Sequence, residues 1–314
     1  MSTELFVGID VSKDKFDLAT TASCKQKQFA NDKRGIAALV KWLEGRQPTL
    51  VVLEASGGYE TALVGALDAA GSPVALTNAR KVREFAKADG RLAKTDAIDA
   101  ALLADFAQRM RPQPRPVPDE QALELKALAT RRRQLVDMIV AERNHLENVP
   151  RSIAKQIRKH LRWLKKELAA VEKEMEDAIR SNPVWRKRVE LLQSAPGVGA
   201  VISFALIAEL PELGETDHKP IAALVGVAPF NCDSGRHKGK RVCRGGRSDL
   251  RRSLYMGVLS ATQHNPPIRE FYQRLLDRGK PKQLAVIACM RKLLTHLNAM
   301  IRDNRPWQNT PCQA

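Results

Sequence analysis

Four carboxylates at separate places along the 314-residue chain have the types and spacing for shared metal chemistry: Asp10 in "GID", Glu54 in "LEASGGY", and Asp96 with Asp99 in "KTDAIDA". Asp96 and Asp99 are three apart, which makes them neighbours on a helix surface. Clustered carboxylates repel one another until a cation joins them, so such a group is unfavourable alone and metal-binding when complete. Hard oxygen ligands suit Mg²⁺, and one or two ions could stabilise the attacking and leaving oxygens of an in-line phosphoryl displacement. The plainer alternative for Asp96 and Asp99 is that acids near a helix N-terminus complement its dipole. Asp14 and Asp17 lie close to Asp10 in sequence, but Asp14, in "SKDKFD", reads as a solvated turn residue.

A second constellation centres on Ser234 in "CDSG". Between Arg236 and Arg252 there are eight Lys or Arg residues and one acid, with glycines at 239, 245 and 246. A serine on a glycine-flanked turn among cations can attack a phosphodiester, because the cations stabilise the developing charge. Arg236, Lys238, Lys240, Arg241, Arg244, Arg247, Arg251 and Arg252 are the candidate nucleic-acid contacts, against the alternative of a solvated basic loop. Among rival serines, Ser253 falls in an apparent helix, Ser248 precedes Asp249 and is expected to cap a helix, and Ser56 follows Glu54. Upstream, "SAPGVGAVISFALIAELPELG" resembles a helix-hairpin-helix element, in which the turn at Pro196, Gly197 and Gly199 exposes amides that can hold a phosphate. The alternative is a plain helix-capping turn.

The elements that would position these residues follow from periodicity. Residues 5–12, 15–22 and 25–32 read as three strands of an antiparallel meander. A helix at 34–45, a buried strand at 49–56, a helix at 59–71, a strand at 72–79 and a helix at 80–90 complete the order β-β-β-α-β-α-β-α, and the helix that begins with the paired aspartates follows. That order resembles the ribonuclease H-like fold. It would bring Asp10 and Glu54 to strand ends, where an open sheet builds its sites and where a core strand has little other use for a carboxylate.

"RPQPRPVPDE" has four prolines in ten residues and marks a boundary. Two long helices follow, over 121–148 and 152–180, broken at Pro150. Ile157, Leu161, Leu164, Leu168, Val171, Met175 and Ala178 have the 4-3-4-3 spacing of a coiled-coil seam. A dimerising coiled coil is the favoured reading, with an intramolecular helical hairpin as the alternative. The basic runs at 131–133 and 158–166 could be a solvated face, although Trp163 among them is compatible with nucleic-acid contact. The expected organisation is an α/β domain over 1–110, a linker and coiled coil over 111–182, and a mainly α domain over 183–314.

Charge locates the partner surface. There are 52 Lys and Arg against 35 Asp and Glu, a net +17, divided as +1 over residues 1–110, +7 over 111–190 and +9 over 191–314. A polyanion is therefore the expected partner of the last two thirds. The start, "MSTELFVGID", lacks the basic stretch and apolar run of a signal peptide, and no uninterrupted apolar stretch reaches the length of a membrane span. These features predict a soluble intracellular chain with no membrane partner. Five scattered cysteines read as reduced thiols. Cys232, His237 and Cys243 lack the paired spacing of a zinc site.

With "GIDVSK", "LEASGGYE", "KTDAIDA", "APGVG", "LVGVAPF", "DSG" and "LRRSLYM" in this order, the chain resembles transposases of the IS110 insertion-sequence family, the group that includes pilin-gene invertases and RNA-guided bridge recombinases. The resemblance runs from about residue 5 to about residue 300. It implies a RuvC-like domain with the tetrad Asp10, Glu54, Asp96 and Asp99 holding Mg²⁺, then a coiled coil, then a transposase domain whose nucleophile matches Ser234. It further implies a covalent phosphoserine intermediate, a composite site shared between protomers of a dimer or tetramer, and a structured non-coding guide RNA that pairs with donor and target DNA. Bacterial cytoplasm, at the nucleoid, is the expected location. Two other functions use the same features differently. A RuvC-like junction resolvase or nuclease would activate water with the four acids and need no serine, and a regulatory nucleic-acid-binding protein would need only the basic surface.

Overall fold

The computed structural model of the chain describes residues 4–90, 96–114, 119–231, 233, 239 and 241–308, with the side chains of 23–25 and 96–98 outside that description. The chain forms two compact units, Met1–Pro118 and Asp119–Ala314.

The first unit contains β1 (Phe6–Val11), β2 (Lys15–Thr20), β3 (Ser23–Ala30), α1 (Lys33–Glu44), β4 (Leu50–Glu54), α2 (Thr61–Ala69), β5 (Val74–Thr77), α3 (Ala79–Ala88) and α4 (Asp96–Met110). This is the order expected from the sequence. The sheet runs β3-β2-β1-β4-β5, with β1, β2 and β3 antiparallel and β1, β4 and β5 parallel. Side chains alternate between its faces, and each face has its own core. Val7, Ile9, Val51 and Leu53 pack with Leu39 and Leu43 of α1 and with Leu63 and Leu67 of α2. Phe6, Leu50 and Val52 pack on the other face with Leu102, Leu103, Phe106 and Ala107 of α4. Burial on both faces explains why β1 and β4 are nearly continuous apolar runs.

Gly8 sets how closely α4 lies on the sheet, since a methyl group there would collide with the Ala100 carbonyl oxygen and the Ala104 amide nitrogen. Arg111, just past α4, lies over the Phe6 ring at 5.2 Å and Gly8 meets the middle of the helix, so α4 runs antiparallel to β1 and begins near the C-terminal end of that strand. Its far half is anchored by an edge-to-face contact of Phe106 with Phe85, ring centroids 5.4 Å apart, and by the 2.6 Å ion pair of Arg109 with Asp89.

The second unit is mostly helical: α5 (Glu120–Asn144), α6 (Arg151–Ser181), α7 (Pro183–Gln193), α8 (Ala200–Glu209), α9 (His218–Val225), a ribbon of β6 (Pro229–Phe230) and β7 (Val242–Cys243), α10 (Ser248–His264), α11 (Pro266–Asp277) and α12 (Lys282–Asp303). The seam expected to pair two chains is filled from within. Leu161 and Leu164 are buried against Leu135 and Ile139 of α5, with Ile157, Leu168 and Val171 at the margin, and Met175 and Ile179 meet Leu125 and Ala129. The dimerising reading is corrected to an intramolecular antiparallel hairpin, because the short break around Pro150 folds α5 back onto the stripe that a second chain would have used. Leu125, Met175 and Ile179 share a cluster with Val189 of α7 and Phe204 of α8, which ties the hairpin into the second unit.

The α12 helix fills the main core of this unit with Val286, Cys289, Met290, Leu293, Leu294 and Leu297. Among the described residues it is the one helix long and apolar enough to cross a membrane by length and composition. Arg291 and Lys292 interrupt its apolar run. Its burial against α7, α9, α10 and α11 marks it as a core helix. Buried Asn298 locks the loop between α8 and α9, accepting from the Gly214 amide at 2.8 Å and donating to the Thr216 carbonyl at 2.7 Å.

Candidate catalytic and nucleic-acid sites

The parallel register pairs Ile9 with Leu53, so the next residues, Asp10 and Glu54, stand side by side at the C-terminal ends of β1 and β4, strands about 4.8 Å apart. They share the parity of Gly8 and Val52 and therefore lie on the face that α4 covers. The first turn of α4, with half-buried Asp99 and the backbone of Asp96, begins at that end. The Asp96 side chain lies outside the described residues. Among those described, no three or more His, Cys, Asp or Glu residues gather closely enough to hold a metal ion. The structure thus brings Asp10 and Glu54 together without drawing Asp99 into a cluster with them.

Two neighbouring acids have separate roles. Asp17, directly across from Asp10 in the antiparallel register, is engaged by Lys15 at 3.0 Å and by the Gln28 amide at 2.8 Å. Asp14 is exposed, as its turn composition suggested. Sequence reasoning missed Glu60. Its buried carboxylate accepts hydrogen bonds from the Ser56 hydroxyl at 2.9 Å, the Gly58 amide at 2.9 Å and the Ser56 amide at 3.2 Å, which closes the loop just after Glu54. Burial pushes the Glu60 carboxyl up, but these donors and its own amide carry it below the ordinary value. The available signal was a serine four residues before an acid, across two glycines.

Ser234 and the candidate contacts Arg236, Lys238 and Lys240 lie outside the described residues, as do Cys232 and His237. The ribbon pairs Pro229 with Cys243 and Phe230 with Val242. Its base is fixed by two of the arginines read as nucleic-acid contacts. Arg247 forks onto Glu212, with N–O distances of 2.7 and 2.8 Å, while its amide donates to the Leu224 carbonyl at 2.8 Å. The Arg251 guanidinium bridges the carbonyls of Gly245 at 2.7 Å and Val225 at 3.3 Å. Arg241, Arg244 and Arg252 are exposed; Arg252 lies 3.2 Å from exposed Asp137. The five described cations therefore do not act alike: Arg247 and Arg251 hold the fold.

The turn between α7 and α8 also has structural causes. Gly197 has φ of +91°, and any β-carbon there would strike the backbone of Ala261 in α10. Buried Asn265 donates to the Pro196 carbonyl at 3.1 Å. Exposed Gly199 precedes α8 as its cap. Ser248 is not the cap expected of it. It is the first residue of α10, behind an extended Arg247 that makes no side-chain capping bond. Ser253 donates to the Asp249 carbonyl within its helix, and Ser56 donates to Glu60, so both hydroxyls have structural partners. Nearby, Arg133 reaches Asp249 at 3.0 Å and Glu209 at 3.5 Å. Burial raises the Glu209 carboxyl despite that arginine.

Comparison with known proteins adds the following. A family model of DEDD type, described as a transposase, matches residues 7–165, and a second, described as "Transposase IS116/IS110/IS902 family", matches residues 189–273. The chain is similar to the pilin gene-inverting protein of Moraxella bovis, 27% identical over 97% of this chain and 98% of that protein. It is 25% identical to an uncharacterised 42 kDa protein of insertion element IS900 from Mycobacterium paratuberculosis, over 97% of each chain. Among solved structures, Thermus thermophilus RuvC in complex with a Holliday junction substrate covers 35% of this chain and 98% of its own, at 15% identity and a TM-score of 0.29.

Proposed function

Because this chain belongs to the IS116/IS110/IS902 family of transposases, we propose that it cuts and rejoins DNA through a covalent link to Ser234, assisted by a Mg²⁺ site on the first unit. The observation that carries the reading is the placement of Asp10 and Glu54 at adjacent strand ends, on the face where α4 begins. These hard oxygen donors fit a Mg²⁺ site as far as they go, and Asp99 and Asp96 are the residues that would complete it. When bound, the metal supplies Lewis-acid stabilisation of phosphate oxygens.

The serine chemistry needs a strand of DNA at the segment 231–241. The bond from Ser234 Oγ to phosphorus forms as a bridging phosphorus–oxygen bond of the strand breaks, and the serine proton passes to a base. A hydroxyl of the recombining strand then reverses the step. Bond energy is conserved in the adduct, so strands are resealed without a high-energy cofactor, whereas attack by water would leave broken ends. Relatives named for gene inversion support rejoining, since inversion requires both ends to be closed again. Exposed Arg241 and Arg244, with the amides before α8 at Gly199, are candidate phosphate contacts, and exposed Arg252 would join them by exchanging its Asp137 partner for a phosphate. The assembly is a homo-oligomer at the nucleoid in which the acidic unit of one protomer works with the serine of another, and a structured guide RNA from the element selects donor and target DNA.

The test is a recombination assay with the native flanking transcript and with donor and target DNA. Ser234→Ala should abolish both the protein–DNA adduct and the product while DNA binding persists, and peptide mapping should place the wild-type adduct on Ser234. Metal-dependent nicking that survives Ser234→Ala would replace this reading with water attack. A transcript that fails to co-purify would remove the guide RNA.

A further inference from the structure

Between Arg151 and Lys166 the α6 helix carries seven Lys or Arg residues and no acid. All seven are exposed, and among the described residues none is ion-paired. Arg151, Lys155, Arg158, Lys159, Arg162 and Lys166 recur at three- and four-residue steps, so they form one stripe opposite the seam that α5 covers. The stripe is about 22 Å long, with a charge at nearly every helical turn. A stripe of one sign without counter-charges destabilises its own helix, so an external polyanion is its natural complement.

Beside the stripe stands Trp163, 50% exposed although tryptophan is an expensive residue to leave in water. Its indole stacks on His160, with ring centroids 5.9 Å apart and planes 16° from parallel. His160 is in turn held by Glu142 of α5, with Nδ1 2.8 Å from Oε1. One face of the indole is thus supported from below by an oriented ring. Duplex DNA keeps its bases stacked inside, whereas an unpaired strand offers π-faces that aromatic side chains can stack on.

We infer that this face of α6 is a docking surface for an unpaired DNA strand, whose phosphates run along the cationic stripe while one base stacks on Trp163. Strand exchange by a DNA transposase exposes such strands. The inference rests on the family's action on DNA and not on Ser234 or the metal.

The test measures binding of the full-length protein to a thymine oligonucleotide and to a duplex of equal length, in Mg²⁺-free buffer so that cleavage plays no part. Trp163→Ala should weaken single-strand binding roughly tenfold and duplex binding less than twofold, while Trp163→Phe retains most of the affinity. Because Trp163 is exposed, the melting temperature should not move. Pairing Lys155→Gln with Arg162→Gln should lower the salt slope for the single strand by about 1.4. Unchanged single-strand affinity in Trp163→Ala, or an equal loss on the duplex, overturns the proposal. A loss confined to a looped RNA overturns it in favour of an RNA occupant. The Ser234→Ala variant should bind the oligonucleotide like wild type, which separates this result from the fate of the serine mechanism.

Discussion

The two units hold their candidate chemistry in opposite ways. In the first, with a net charge of +1 over residues 1–110, the carboxylates sit at the ends of a sheet buried on both faces, where strand register fixes the neighbours. In the second, the serine lies outside the described residues; the described backbone near it in sequence is a two-residue ribbon, followed by arginines that grip carbonyls and one glutamate. An acidic site needs rigid backbone, because its members repel one another until a cation arrives. A basic site that meets a long polyanion can leave many cations solvated and use only a few as struts.

The largest expected effect tests the acidic side. Asp10→Asn or Glu54→Gln should lower recombination on the order of 10³-fold, with melting temperature unchanged or raised by relief of repulsion. Activity within tenfold of wild type in either variant would break the contrast, since strand-end placement would then have no catalytic consequence.

Packing changes come next and should separate the units. Leu164→Ala, at a fully buried hairpin position, should cost about 2–5 kcal/mol in chemical denaturation and act on the second unit. Gly8→Ala forces α4 off β1 and should cost about 1–3 kcal/mol. It should also depress recombination beyond its effect on stability, because it moves the helix that carries Asp96 and Asp99. A Gly8→Ala protein with normal turnover would show that α4 need not seat closely.

The arginines sharpen the basic side. Glu212→Gln weakens the fork with Arg247 and should cost about 1–2 kcal/mol, leaving the salt dependence of DNA binding alone. Arg244→Gln should do the reverse, with no stability change and a salt slope shallower by about 0.9. If the two variants exchange phenotypes, the division between struts and phosphate contacts is wrong.

The smallest effect is in pH. Burial and Lys292 lower His296 of the second unit, which packs against Trp307, and hydrogen bonding lowers Glu60 of the first. A depressed folded pKa gives stability that is present above the unfolded value and lost as pH falls through the folded one. Acidification should therefore begin to weaken the second unit below about pH 6.5, while the Glu60 contribution persists to about pH 4.5. Calorimetry at pH 7.5, 5.5 and 4 should show that order. His296→Phe should flatten the first step.

Much of the first unit was legible before its coordinates. Alternation and short apolar runs gave every strand, and Asp10 and Glu54 could be set at strand ends because each closes a short, largely apolar run. Glu60 was not legible, since its role depends on a loop that turns back to present the Ser56 and Gly58 amides. In the second unit, periodicity found the seam from Ile157 to Ala178 but not its partner. A 4-3 repeat records that a stripe is buried, and α5 of the same chain satisfies it as well as a second chain would. Arg247 and Arg251 likewise look no different from Arg241 and Arg244 in a run of cations.

What the sequence alone determined is therefore the local and the periodic: the element order, the acids at strand ends, the charge division and the family motifs. These depend on backbone geometry and on residues near in the chain. Tertiary structure decided which buried stripe meets which, that Gly8 admits α4, and that Arg247 and Arg251 serve the ribbon while Arg241 and Arg244 face water. Those outcomes depend mostly on groups distant in sequence coming into contact, and no spacing rule along one chain encodes that.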